Sequence, residues 1–407
     1  MQPNPYTPSG RPRVFVGRER ERQRLRDQLA RVVAYGEMMG PLTVVTGPRG
    51  VGKTSLLRDV GEQAAENGLV VAWVSAVKQQ PILGELIHQV RTALERAEVL
   101  DPKSARRVEE VGVEVSAGIA KVSAKIGSSA GWPAEAPAAV VGPVQDFLRH
   151  TSNLVRERGG AGLLVVIDEL HAPLESRGST ERDPYDPEPQ AVTDAGVLLN
   201  VTQNMDAERQ HFPVAVIGAG LPQTKALLTR AATFGERTHE LVLGEMDHAT
   251  AEAVLVEPAR RLGVEWSSDA LAAALEDADG YPQTLQIIGS ATWEAARPEQ
   301  GAILEVNNVI LGRRAALAEM TSLFHTRWAV ASEAEREFLT AMAQLPESMV
   351  SRAAIAAELG VDTDALGMTR RSLIGKGIIE APQRGQLRFT IPGFAEYVRG
   401  QVDDSEH

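Results

Sequence analysis

The sequence predicts an α/β fold in which a parallel sheet is buried on both faces, followed by an α-helical region and a small terminal domain of helices and ribbon. Three observations carry that expectation. Short, nearly unbroken apolar runs alternate with amphipathic segments of helical length up to about Glu245. After Met246 the pattern turns helical throughout. Behind three further helical patterns stand two strand-like runs, "GIIEAP" and "LRFTIP".

The elements follow in order. Residues 1–13, rich in Pro and Gly, read as a flexible arm. "GRERERQRLRDQLARVVAYGE" places Leu25, Leu29, Val32 and Val33 at helical spacing. "PLTVVTG", "LVVAWVSA", "GLLVVIDE" and "FPVAVIGAG" read as buried strands, with helices over "KTSLLRDVGEQAAENG", "PILGELIHQVRTALERA" and Val144–Arg158 between them. Two segments break the rhythm. Residues 111–127 alternate Val111, Val113 and Val115, then Ala120, Val122, Ala124 and Ile126 around a Ser-Ala-Gly turn, a β-hairpin pattern inserted in the sheet domain. Residues 171–190 are polar and Pro/Asp-rich, the composition of a mobile loop. The resulting domains are 14–245 for the α/β base, 246–320 for the helical region and 324–402 for the terminal domain, with helices at Ala334–Gln344, Ser351–Leu359 and Thr363–Lys376 before the ribbon.

Bulk properties narrow the function. At 407 residues, 43% apolar and 24% charged, the chain is a globular protein of about two or three domains. A net charge of −12 argues against a coat of nucleic acid along the whole chain, while leaving room for a local basic patch. Without cysteine there is neither a disulfide nor a thiolate metal site, and the histidines are scattered outside metal-ligand spacings such as H-E-x-x-H. "MQPNPYTPSGRPR" has no apolar run of a secretion signal, and no segment approaches the roughly 20 apolar residues that cross a bilayer. The expectation is a cytoplasmic protein without a membrane partner.

The chemistry is concentrated in "VVTGPRGVGKTSLL". Gly47-Pro48-Arg49-Gly50-Val51-Gly52-Lys53-Thr54 fits G-x-x-x-x-G-K-[ST], a phosphate-binding loop between a strand and a helix that runs on through Ser55. Glycines at 47, 50 and 52 let backbone N–H groups turn toward phosphate oxygens, and the helix adds its positive end. Lys53 reaches the β- and γ-phosphates of ATP, and the Thr54 hydroxyl ligates Mg²⁺. In "LLVVIDEL", Asp168 and Glu169 close an apolar strand. Asp168 is the second metal-shell ligand, and Glu169 is the candidate base for the attacking water. A water-polarising carboxylate suits a hydrolase better than a small-molecule kinase.

Further stretches resemble the AAA+ superfamily, closest to the branch that links origin-recognition/initiator-type ATPases with STAND and archaeal-type ATPases. "VFVGRERERQRL" is similar to the box that opens those domains, which implies that Phe15, Val16 and Gly17 line the adenine pocket. "FGERTHELVLGEM" resembles the segment carrying a trans-acting arginine finger. That match points to Arg237, with Arg230 the runner-up and an ordinary surface pairing to Glu236 or Glu240 the alternative. Where many members carry a polar sensor on the fourth strand, this chain has Gly218-Ala219-Gly220. Where initiator-type lids carry a sensor arginine, it has Gly280-Tyr281-Pro282-Gln283, similar to the Gly-x-Pro of the STAND group, whose proline touches adenine. Loss of a cationic sensor removes a stabiliser of transition-state charge. The resemblance thus implies a P-loop NTPase sheet as AAA+ base, an α-helical lid and a C-terminal winged helix, working as a slow switch.

Partner surfaces follow from charge. Ala365–Arg399 holds Arg370, Arg371, Lys376, Arg384, Arg388 and Arg399 against Glu380 and Glu396, in the helix and wing that meet double-stranded DNA in DNA-binding winged helices. Lys121, Ser123 and Lys125 give the 111–127 segment a weaker polar face. Two functions remain open: an ATP/ADP-driven switch that assembles as a homo-oligomer on DNA, and a STAND-like signalling or regulatory scaffold whose winged helix docks protein.

Overall fold

A computed structural model of the protein describes residues 2–126, 138–175 and 187–405. The chain divides into two compact units: one of Arg18–Thr46 and Leu56–Val242, the other of Met1–Gly17, Gly47–Ser55 and Leu243–His407.

The first unit runs α1 (Glu19–Tyr35), β1 (Thr43–Thr46), α2 (Lys53–Glu66, its first three residues counted with the other unit), β2 (Leu69–Ser75), α3 (Leu83–Arg96), α4 (Pro102–Ile126), α5 (Ala138–Glu157), β3 (Gly162–Asp168), α6 (Pro189–Ala207), β4 (Val214–Gly220), α7 (Thr224–Ala231) and β5 (His239–Val242). Its five strands pair in parallel in the order β2-β3-β4-β1-β5. Every residue of β3 and β4 is buried, as unbroken apolar runs require in the middle of a sheet covered on both faces. Register places Ser75 beside Asp168 and Thr46 beside Gly220, so the strands end along one edge. Asp194 of α6 is buried and accepts the Leu83 N–H at the start of α3 at 3.0 Å. Burial pushes its carboxyl above the usual range, against the hydrogen bonds that hold it.

The alternation at 111–127 is not a hairpin. Up to Ile126 it belongs to α4, and residue 127 lies outside the described residues. The period is helical: Val108, Gly112 and Val115 are buried, while Val113 is 61% exposed. A strand would have turned Val113 and Val115 to the same face. Asp101 caps the helix by accepting the Ser104 N–H at 2.7 Å. In the expected loop 171–190, Ala172–Leu174 form a buried 3-10 turn and Pro189 opens α6, while residues 176–186 lie outside the described residues.

The second unit continues with α8 (His248–Arg260), β6 (Glu265–Trp266), α9 (Ser268–Ala278), α10 (Pro282–Ala296), β7 (Ile303–Leu304) and α11 (Val306–Ala329). It ends with α12 (Glu333–Gln344), β8 (Val350–Ser351), α13 (Arg352–Leu359), α14 (Gly367–Gly375), β9 (Ile379–Glu380), β10 (Gln386–Phe389) and α15 (Phe394–Ser405). The ribbon is joined by β8 into an antiparallel sheet of order β8-β10-β9. Helix α11 runs through residues 320–324, where a domain boundary was expected, because "TSLFHTRWA" holds neither Gly nor Pro to stop it. Its Phe324 packs on Phe394 of α15 with ring centroids 5.6 Å apart.

Residues 2–13 are not a loose arm. Tyr6 is 3% exposed, its hydroxyl donates to the Leu255 carbonyl at 2.5 Å, and its ring meets Trp293 edge-on at 6.1 Å. Trp266 Nε1 donates to the Tyr6 hydroxyl at 3.1 Å, and Asn4 donates to Ser290 Oγ at 3.0 Å. One buried aromatic outweighs the Pro/Gly composition around it.

Glu335 closes the capping box of α12 with Ser332 and receives Lys376 Nζ at 2.6 Å while only 4% exposed. Burial alone would raise its carboxyl; hydrogen bonds from Lys376, Ser372 and the Ser332 N–H outweigh it and hold the group below its usual range. A depressed carboxyl stabilises the fold above its unfolded value and loses that contribution as the pH falls. Glu335→Gln is expected to cost about 1–3 kcal/mol at neutral pH. In urea denaturation at a series of pH values, the gap to the parent closes as the pH drops below the ordinary carboxylate range.

Candidate nucleotide-binding site

The glycine loop belongs to the second unit. Gly50 and Gly52 have φ of +89° and +91°, conformations that favour glycine. A Cβ on Gly52 would meet nothing within 4 Å, so that side of the loop is open to a ligand. A Cβ on Gly50 would collide with the Gln283 amide oxygen and lie 3.1 Å from a Tyr281 ring carbon. The Tyr281 hydroxyl donates to the Arg49 carbonyl, with its ring only 1% exposed. Burial raises that hydroxyl's pKa, keeping it a donor. Lys53 is 5% exposed, and its Nζ donates to the Gly47 and Pro48 carbonyls at 2.9 and 2.7 Å. Val51 is buried beneath the loop, Thr54 is exposed and Ser55 half-buried.

Other residues singled out by sequence lie in the same unit. Phe15 and Val16 are partly exposed. Gly17, at φ +81°, leaves room for the Thr250 methyl of α8, where a side chain would collide. Pro282 is buried at the first turn of α10, where the missing N–H costs nothing. Gly280 accepts the Met246 N–H at 2.9 Å and would drive a Cβ to 2.7 Å from the Met246 carbonyl.

Asp168 and Glu169 stand in the first unit at the end of β3. Asp168 is 8% exposed and accepts the Glu169 N–H at 3.0 Å. Glu169 adopts φ +55°, uncommon for a residue with a side chain, and its carboxylate is 40% exposed. The turn is fastened to both neighbouring strands. Ala76 N–H donates to the Asp168 carbonyl at 2.9 Å beyond β2, and Leu170 N–H to the Ala219 carbonyl at 2.7 Å on β4.

His171 is the functional candidate that sequence reasoning missed. Its ring is 1% exposed, and Nδ1 accepts the Leu221 N–H at 3.3 Å. Nε2 lies 3.5 Å from a Glu169 oxygen and 3.5 Å from a Glu175 oxygen, and Glu175 in turn faces Lys78 Nζ at 3.4 Å. A Cβ on Gly218 would come within 2.6 Å of Leu170, and one on Gly220 would collide with the Thr224 hydroxyl and lie 3.2 Å from His171 Nδ1. A lone histidine after Asp-Glu-Leu carries no sequence signal of that contact.

Arg237 ends the 3-10 turn before β5, Arg230 lies in the last turn of α7, and both are exposed. Among the terminal cations, Lys376 is committed to Glu335 and to the Val330 carbonyl at 3.0 Å. Arg388 is held by Glu380 and, at 2.7 Å, by Glu245; Arg399 pairs with Glu396 at 2.9 Å. Arg371 and Arg384 are exposed and Arg370 half-buried, and among the described residues none of the three is in an ion pair. Also among the described residues, no group of three or more His, Asp or Glu could hold a metal ion by itself, and no helix is long and apolar enough to cross a membrane.

Residues 14–182 match the family model of the AAA ATPase domain, and residues 321–398 match a domain of unknown function. No curated protein matches the sequence. The Walker-type ATPase PABY2304 of Pyrococcus abyssi is similar in structure, with 15% identity, 95% of this chain and 96% of that chain covered, and a TM-score of 0.61. Cdc6p from Pyrobaculum aerophilum (15% identity, 98% and 97% covered) and the Thermotoga maritima RuvB Holliday junction branch migration motor (15% identity, 95% and 95% covered) are less similar, with TM-scores of 0.45 and 0.44. The sheet with its surrounding helices is the P-loop α/β fold of AAA+ ATPases, followed by a helical region.

Gly50→Ala tests the loop geometry. The methyl group meets both a left-handed backbone and the Gln283 amide. Calorimetric titration with Mg-ATP should show affinity reduced about tenfold or more, while the melting temperature stays within a few degrees of the parent.

Proposed function

We propose that this chain is an ATP-binding AAA+-type ATPase that works as a slow nucleotide-dependent switch. The observation that carries the reading is the loop Gly47–Ser55, with two glycines held at positive φ, one open side and a buried lysine poised on loop carbonyls. Inward-turned amides and the start of α2 bind the phosphate tail. Lys53 exchanges the Gly47 and Pro48 carbonyls for the β- and γ-phosphate oxygens. Phe15, Val16, Gly17 and Pro282 enclose the adenine.

Thr54 and Asp168 are the residues that would hold Mg²⁺, and one hydroxyl with one carboxylate suits an ion that keeps waters and takes phosphate oxygens as its remaining ligands. Bound there, the ion neutralises charge on the β- and γ-oxygens. Glu169 takes the proton of a water as its oxygen bonds to the γ-phosphorus. The bond to the bridging oxygen breaks, giving ADP and phosphate. Arg237 of a neighbouring copy, or Arg230, supplies charge from outside. Two features favour slow turnover: the β4 tip Gly218–Gly220 bears no polar side chain, and Gly280-Tyr281-Pro282 stands in place of a cationic sensor. The Tyr281 hydroxyl on Arg49 supports a lid that reads the state of the loop.

The sheet β8-β10-β9 with α12, α13 and α14 supports a winged helix, and Arg370, Arg371 and Arg384 are its candidate contacts to double-stranded DNA. A second reading, a STAND-like scaffold whose winged helix docks protein, is favoured by the engagement of Lys376 and Arg388 with internal carboxylates.

Glu169→Gln should keep Mg-ATP binding and lose hydrolysis about a hundredfold or more, whereas Lys53→Ala should lose binding. Parental turnover in the Glu169 variant refutes the base. Three phosphate contacts would give a log–log salt slope of about −3 for duplex DNA; absence of DNA binding with and without ATP leaves the scaffold.

A further inference from the structure

We infer that the cleft between α9, α10 and α11 is a binding site for a small uncharged aromatic molecule carrying one hydrogen-bond donor. None of its residues is among those assigned to the nucleotide, and the inference does not rest on that reading. Gly312 brings α11 against α10, where a Cβ would lie 2.8 Å from the Ala291 carbonyl. Beside this contact the helices leave a cleft of about 260 Å³, walled by Ile288, Val309, Ala316, Leu317 and Met320. An apolar cavity of ~150 Å³ takes up benzene, so this space suits a molecule of about ten non-hydrogen atoms. Leu317 is 61% exposed, and covering it supplies driving force.

One polar group in the wall sets the second feature of the ligand. Thr292 lines the cleft and is 1% exposed. The helical threonines Thr151, Thr229, Thr321 and Thr326 donate their hydroxyls to the carbonyl four residues earlier. Among the described residues the Thr292 hydroxyl is in no hydrogen bond. A buried hydroxyl gains most from the partner it lacks, so a ligand N–H or O–H directed at Thr292 Oγ1 is favoured. Charge is not. Asp277 and Arg313, which also line the cleft, satisfy one another through bonds of 2.9 and 3.2 Å. The apolar walls offer an ion nothing in exchange for its water.

Indole and benzothiophene are nearly the same in shape, and only indole has an N–H. Calorimetric titration of the full chain should give indole a Kd at or below about 1 mM. Thr292→Val removes the hydroxyl at constant shape; it should weaken indole about three- to tenfold and leave benzothiophene unchanged. Ala316→Leu fills the cleft and should abolish binding of both without lowering the melting temperature. No indole binding to the parent at millimolar concentration, indole binding retained in A316L, or equal effects of T292V on the two ligands overturns the proposal. Should A316L fail to fold, methyl NMR of the parent decides the same point. Contacts from indole protons to the methyls of Ala316, Leu317 and Met320 support the site, and their absence at saturating indole overturns it.

Discussion

Parallel pairing is the constraint from which the rest of the α/β unit follows. Strands that run in one direction must all end on one edge. The order β2-β3-β4-β1-β5 therefore gathers the exits of β1, β3 and β4 there, whatever the sequence of the connections. The Asp168–Glu169 pair leaves β3 there, and the tip of β4, Gly218-Ala219-Gly220, stands in register with β1. Crowding at that edge is resolved by glycine. Gly218 leaves its space to Leu170, and Gly220 leaves its space to Thr224, with His171 next to it.

The sheet was legible because burial on both faces leaves unbroken apolar runs, as in "LLVVID" and "VAVIG". The phosphate loop was legible for a different reason: its glycines and lysine serve local backbone geometry, which spacing alone encodes. What could not be read depended on distant partners. Val111, Val113 and Val115 satisfy a two-residue period as well as they fit a helix, and only the burial of Val108 and Val115 with Val113 exposed decides between them. Tyr6 belongs to a Pro/Gly-rich stretch, yet Leu255, Trp266 and Trp293 hold it. β8, two residues long, is too short to leave a periodic trace. His171 becomes conspicuous only when Glu175 and the end of β4 are brought to it.

Charge in the terminal domain shows a related limit of composition. The basic stretch from Arg370 to Arg399 looks uniform in sequence, but its members do different work. Lys376 completes a capped helix through Glu335, and Arg388 bridges Glu380 and Glu245. Arg370, Arg371 and Arg384 lack such engagements among the described residues. A cation that neutralises a half-buried carboxylate is costly to withdraw, because the carboxylate is left behind. That cost separates cations that stabilise the fold from those available to an outside polyanion.

Helix α11 has a mechanical consequence. Twenty-four residues without an internal proline form a rod about 36 Å long. One part of it lies along α10, with Gly312 packed close against the backbone of Ala291; farther along, Phe324 is clasped by Phe394 and Tyr397. Such a rod bends little and twists less. A small rotation of α10, the helix that starts at Pro282, would reach α15 through Phe324 as a lever stroke, enlarged by the length of the arm.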